Sequence, residues 1–232
     1  MKRFLCVALV LALGLATTGL AKKRSRKEKS GGYGWFGPSV MFVDYKGIND
    51  QLAMVGGFEE LNSLHWAFGG GGHAHIGRIV LGGSGWGGSQ TVASESMAVR
   101  VDVGGGQFEA GYSVLSLEHL IITPMLGIGA SGYEVTVEET NYPGNFQEFL
   151  RNHGPSSSIA FDGFILAPML MVNIPVKFVG IQLRGGYAVQ PGDPVWKFPG
   201  GGTLLGGPDV APGYPFAGIN VSFGGIDSKR KR

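Results

Sequence analysis

Cysteine, charge and helical periodicity are all scarce in this chain of 232 residues. Its one cysteine, Cys6, excludes a disulfide framework and a cysteine zinc cluster. Charged residues make up 16%, against about 25% in ordinary soluble domains, so there is little material for a surface studded with Lys and Glu. From Tyr33 onward no helix-period pattern of useful length occurs, which argues against a helical bundle. No nucleophile, base and orienting group stand in a recognisable constellation, so neither an enzyme nor a cofactor is expected. What is there is apolar and glycine-rich. A hydrophobic share of 44% is too high for a disordered chain, and the 42 glycines lack the every-third-residue period of collagen. The length suits one domain.

The two ends differ from the middle. Lys2 and Arg3, the apolar stretch Phe4 to Leu15 and the small-x-small Gly19-Leu20-Ala21 read as an export signal over residues 1–21. Basic residues follow at once (Lys22, Lys23, Arg24, Arg26, Lys27 and Lys29), and positive charge there opposes transfer, so an uncleaved anchor is the alternative. A basic disordered segment is expected over residues 22–32 and a basic tail over 227–232. Between Ser30 and Ile226 the chain holds seven basic and 15 acidic residues, so its slight positive charge conceals an acidic body with two basic ends. Such ends suit anionic lipid head groups.

Eight strand-like runs fill residues 33–226, at 33–45, 63–76, 78–90, 96–114, 119–139, 157–173, 176–190 and 214–225. All eight exceed the ~9–11 residues that a membrane-spanning strand needs. Helical turns are expected only inside connections, at 48–60 and 145–151. The connections alternate: tight near Gly77, Ser116–Glu118 and Ile174–Pro175, and longer at 46–62, 91–95, 140–156 and 191–213. In an up-and-down meander every second connection falls at one end, so this chain sorts its turns from its loops.

Period-two alternation supplies two faces. One carries Val179, Ile181, Leu183, Ile219, Val221 and Phe223; the other carries His65, His73, His75, Gln182 and Arg184. Periodicity alone leaves open which face is inside, since a soluble barrel buries the apolar face and a membrane barrel exposes it to lipid. Composition decides. The eight runs contain only 11 charged residues among 124, and the less apolar face is mostly small residues, as a crowded lumen requires. Lumen-facing candidates are therefore His65, His73, His75, Arg100, Asp102, Gln182 and Arg184, with a glycine bulge at Gly104–Gly106 switching the register of the fourth strand. Arg100, Asp102 and Arg184 are expected to form a charged network across the lumen. The first six apolar residues are the lipid-facing candidates, and Trp35, Phe36, Tyr45, Trp66, Tyr133, Tyr187 and Phe216 are expected at the interfaces.

Two motifs are set aside. Gly83-Ser84-Gly85-Trp86-Gly87-Gly88 matches a dinucleotide fingerprint without the following helix, and the three histidines lack a paired carboxylate nearby in sequence, so no metal site is expected.

Signal, strand rhythm, loop asymmetry and the closing strand Phe216–Phe223 resemble the small eight-stranded outer-membrane β-barrels, the class of the OmpA membrane domain and the OmpW-like proteins. The resemblance implies an all-β fold: an eight-stranded antiparallel up-and-down transmembrane β-barrel with short turns at one end and long loops at the other. It implies an outer-membrane location, the lipid bilayer and the barrel-insertion machinery as partners, and a structural, surface-interaction or narrow-passage role without nucleic acid. Such proteins usually end on an aromatic residue, whereas here Gly224 to Arg232 follow Phe223. The alternative is an exported soluble β-barrel binding an apolar ligand in its interior.

Overall fold

The computed structural model describes residues 29–140, 156–193 and 195–228. The export segment, the turn at 145–151 and the last four residues lie outside them. Eight long strands run β1 (Lys29–Phe42), β2 (Leu64–Ile76), β3 (Ile79–Ala93), β4 (Met97–Tyr112), β6 (Ile121–Glu139), β7 (Ser156–Val176), β8 (Val179–Val189) and β9 (Gly213–Ser228), with a two-residue β5 (Leu115–Ser116) beside β6. One helix, α1 (Lys46–Val55), sits in the first loop. Each long strand pairs antiparallel with its neighbours in sequence, β4 pairs with β6, and β1 pairs with β9, so the sheet closes. Closure gives every long strand two partners, although the longer β7 runs beyond the end of β8 before Leu166.

The stagger of that closure follows from the register. Gly31 pairs with His75, then the path runs through Val80, Gly111, Met125, Met169, Gly186 and Phe216 to Met41, ten residues beyond its start. With ~3.3 Å per residue along a strand and ~4.8 Å between strands, that shear tilts the strands by about 40°.

The connections sort by end. Two-residue turns at 77–78 and 177–178 and the segment 113–120 lie at the end where β1 begins; 43–63, 94–96, 140–155 and 190–212 lie at the other. The third connection on the turn end is thus longer than a tight turn, because β5 adds a short rung to β6 there.

Side-chain polarity inverts along the axis. Toward the turn end, large apolar side chains point outward and stay exposed, among them Phe36, Phe68, Phe108, Ile181, Ile219 and Phe223, while His75, Thr123, Asn173, Gln182 and Ser222 are buried inside. Toward the loop end the arrangement reverses: Val99, Val101, Val103, Tyr133, Val135 and Phe161 fill the inside. The outward charges of the strands there, Arg100, Asp102, Glu134, Glu138 and Asp162, sit in the loop-end halves of β4, β6 and β7. The loops complete an apolar plug in the mouth. Ile48 of α1, Leu61 and Trp196 are buried against it. Asn49 exchanges two hydrogen bonds with the backbone of Leu61, and Trp196 donates its indole N–H to the Pro208 carbonyl at 2.9 Å.

Four expectations are corrected. Strand β4 has no bulge at Gly104–Gly106; its register runs unbroken against β3 and β6. Consequently Arg100 and Asp102 are on the outer face, with side chains 55% and 35% exposed, forming an ion pair at 2.8 Å with each other rather than with Arg184. The strand rises there past the apolar outer belt, so valine turns inward and charge outward. Trp35, Tyr45 and Tyr133 are buried within the barrel instead of ringing its outside, while Phe36, Trp66 and Tyr187 do face out and Phe216 is half-buried inside. Finally, residues 29–32 belong to β1 and residues 227–228 to β9, which shortens both expected basic end segments.

The two tight turns differ in cost. Gly77 takes φ 65°, as glycine does freely, but Lys177 takes φ 60° at the equivalent position of the β7–β8 turn. A side chain there is strained. Lys177→Gly is expected to raise stability by about 0.5–1 kcal/mol, read as a shift of the urea midpoint of the folded barrel to higher concentration.

Candidate functional site: a buried charge cluster and the cavity beside it

The strand register brings residues from three sides of the barrel to one point. Glu109 on β4 is fully buried. It accepts a hydrogen bond from Arg184 Nη2 on β8 at 2.5 Å, from Gln107 Nε2 at 2.8 Å and from the hydroxyl of Ser84 on β3. His73 on β2 places Nε2 at 2.6 Å from Glu109 Oε2, so this nitrogen carries the proton that the carboxylate accepts. The Arg184 guanidinium lies 4.3 Å from the centre of the Trp35 ring, and Trp35 stacks on His73 with ring centres 6.4 Å apart. Gly82 makes room for that histidine, since a Cβ there would come within 2.6 Å of the His73 ring. One carboxylate and one guanidinium thus neutralise each other away from water. Such a pair gains little over an apolar replacement, but either member left alone is costly.

The other inner histidines have separate partners. His65 accepts at Nδ1 from the Tyr45 hydroxyl at 2.6 Å. Burial raises the pKa of Tyr45, assisted by Tyr214, so that hydroxyl keeps its proton and can donate. His75 lies 3.4 Å from the Tyr33 hydroxyl, nearer the turn end. His73 and His75 share the Tyr33 ring, at 5.5 and 5.4 Å between ring centres, while His65 stands apart with Tyr45, and among the described residues no group of three His, Cys, Asp or Glu is placed to hold a metal ion. Gln182 and Arg184 are both buried within the barrel, whereas Val179, Ile181, Leu183, Ile219, Val221 and Phe223 lie exposed on its outer face.

Sequence reading overlooked Glu109. Its signal was an isolated carboxylate between Phe108 and Ala110, in a strand half with no other charge. An ionisable group in such a place needs a buried partner.

Between this cluster and the apolar plug lies a small cavity of about 60 Å³, bordered by Trp35, Met41, Trp86, Phe216, Gln107 and Arg184 among others. Buried side chains lie inside the wall on both sides of the cavity.

The closed, sheared, up-and-down wall of eight long strands is the fold of the small outer-membrane β-barrels. Among solved structures it is similar to Ail, the attachment invasion locus protein of Yersinia pestis, in complex with the heparin analogue sucrose octasulfate: 12% identity over 85% of this chain and 99% of that one, with a TM-score of 0.54. A second structure of Ail aligns at 11% identity, 87% and 100% coverage and a TM-score of 0.49. The outer membrane protease OmpT of Escherichia coli aligns at 10% identity, 88% and 99% coverage and 0.40, too loosely for either of these two to carry an argument. No protein-family model matches the chain, and no curated protein matches it.

Removing one member of the buried pair tests the cluster. Glu109→Ala is expected to cost about 3–5 kcal/mol by stranding Arg184, whereas the double change Glu109→Gln with Arg184→Met should recover most of that loss. Urea unfolding of the three proteins reads both; equal losses in single and double variants would contradict the assignment.

Proposed function

We propose that the chain is a non-enzymatic outer-membrane β-barrel whose work lies in its loop-end surface, with a sealed interior that stiffens the wall. The observation that carries this reading is the inverted polarity. Phe36, Phe68, Ile181, Ile219 and Phe223 stay 39–58% exposed in one outer belt without a charged residue among them. An apolar patch of that kind on a water-facing protein would aggregate. Facing acyl chains, it is stabilised instead.

Two features speak for a surface or structural role over a solute passage and over chemistry. The apolar plug and the mixed polar and apolar packing nearer the turn end lie inside the wall on both sides of the cavity. Glu109, the buried carboxylate, is committed to four hydrogen-bond partners. The loop-end surface is acidic, with Asp44, Asp50, Glu59, Glu60, Glu95 and Asp209 against Lys46 and Lys197, so a cationic or neutral partner suits it better than the sulfated ligand bound by Ail.

The turn end implies a second partner. Lys29 pairs with Ser228, so the first residue of β1 and the last of β9 meet on the same end as Arg78 and Lys177. Anionic head groups of the adjoining leaflet fit that cluster, and the barrel-insertion machinery is the partner that delivers such a protein. Nucleic acid is not expected.

Membrane fractionation with electrophoresis of unboiled and boiled samples tests the reading. The protein should sediment with membranes and migrate as a compact species until heated. Release into the soluble fraction without detergent, with one mobility before and after boiling, would favour an exported soluble barrel instead.

A further inference from the structure

At mid-height the outer face of β2, β3 and β4 carries two phenylalanines set among bare backbone. Phe68 on β2 and Phe108 on β4 stand more than half exposed in the apolar belt. The outward residues beside them are Gly70 on β2, Gly83, Gly85 and Gly87 on β3, and Gly104 and Gly106 on β4. Crowding accounts for inward glycines of the same strands. A Cβ on Gly71, Gly82 or Gly88 would run into the carbonyl oxygens of Gly83, Gly72 and Trp66 respectively. It does not account for the outward ones. There a Cβ would meet its nearest atom at 3.1 Å on Gly70 and Gly83, 3.5 Å on Gly85, 3.6 Å on Gly106 and 4.0 Å on Gly87. Glycine weakens a strand interior, so its use on this face lies outside the chain, in the close approach of another surface.

The register sets the heights at which these groups stand. Rungs climb toward the loop end from β1 to β4, because the path that leaves Gly31 returns to β1 at Met41. At the tilt given above, each residue along a strand rises about 2.5 Å and each step to the next strand adds about 3 Å. Phe68 pairs with Gly87 and Gly87 with Gly104, which brings Gly106 within about 1 Å of the height of Phe68. By the same count Phe108 stands within about 1 Å of the height of Gly70. Each phenylalanine is thus level with a glycine on the far side of β3.

Copies inserted the same way in a bilayer are related by rotation about its normal, and such a rotation preserves height. A two-fold axis through Gly85 sets β2 of one copy against β4 of the other. Phe68 then projects toward Gly106 of the second copy and Phe108 toward its Gly70, while the glycines of β3 let the two walls approach. Charge does not oppose this contact, since β3 carries Ser89 on the axis at the rung of Asp102. We propose that this face is the contact between two copies of the chain, a two-fold dimer in the membrane closed by Phe68 and Phe108. The proposal rests on the membrane reading above.

The test uses the full chain with Cys6→Ser, reconstituted in lipid vesicles. A cysteine on the axis meets its own copy, so Gly85→Cys should form an oxidised dimer at least tenfold faster than Tyr187→Cys, on β8 across the barrel. In detergent, sedimentation equilibrium of the chain without added cysteines should show a dimer. Phe68→Ala with Phe108→Ala should weaken that dimer at least tenfold. Gly85→Leu with Gly106→Leu fills the hollow and should leave a monomer whose mobility still changes on heating. Equal oxidation rates at the two cysteine positions, or a monomer at every concentration, would overturn the contact. So would a monomer carrying the added mass of a retained lipid. A heat-modifiable, membrane-sedimenting monomer defeats this proposal alone, whereas loss of those membrane properties defeats the reading beneath it.

Discussion

Closing eight strands with a stagger of ten residues fixes the width of the barrel, and everything else follows from that width. An interior this narrow must be filled by the chain's own side chains. Backbone groups are then satisfied within the wall, and the outer surface is free to be as greasy as its surroundings require. The same closure decides where charge can go. Glu109 and Arg184, from strands on different sides of the barrel, meet across the lumen only because the register aligns them.

Two solvents are written into one wall. Over the turn-end half the side chains put hydrocarbon outside and a mixture inside, hydrogen-bonding groups such as His75, Thr123, Asn173 and Gln182 beside Val80, Met125 and Met171. Over the loop-end half of β4, β6 and β7 they do the opposite, as a soluble barrel would, with valines and aromatics inside and Arg100, Asp102, Glu134 and Asp162 outside. The change of sign along single strands marks the height at which a bilayer would give way to water. The apolar plug belongs to the wet half, where burying Val101, Phe161 and Trp196 is favourable for the ordinary hydrophobic reason.

Alternation was enough to find the strands, the sorting of turns from loops, and the inner position of His65, His73, His75, Gln182 and Arg184, because those strands keep one period in one setting. It misplaced Arg100 and Asp102. A period of two says which residues share a face, not which solvent that face meets, and on β4 the solvent changes midway. The bulge expected at Gly104–Gly106 accounts for an apparent change of register on β4, and that change is instead a change in the surroundings its two unshifted faces meet. Trp35, Tyr45 and Tyr133 misled for a related reason: an aromatic ring fits a lumen as well as an interface. Glu109, the centre of the buried cluster, was legible as a lone carboxylate in an apolar strand half, but its partners come from β2, β3 and β8, and only the register joins them.

The most direct test compares one substitution in each setting. Leu183→Lys places a charge in the outer belt of the turn-end half, and Ser89→Lys places one on the outer face near Asp102. In lipid vesicles, urea unfolding should show a loss of about 2–4 kcal/mol for Leu183→Lys and close to none for Ser89→Lys. Equal stability of the two variants, with the protein folded in vesicles, would contradict the claim that this belt faces hydrocarbon.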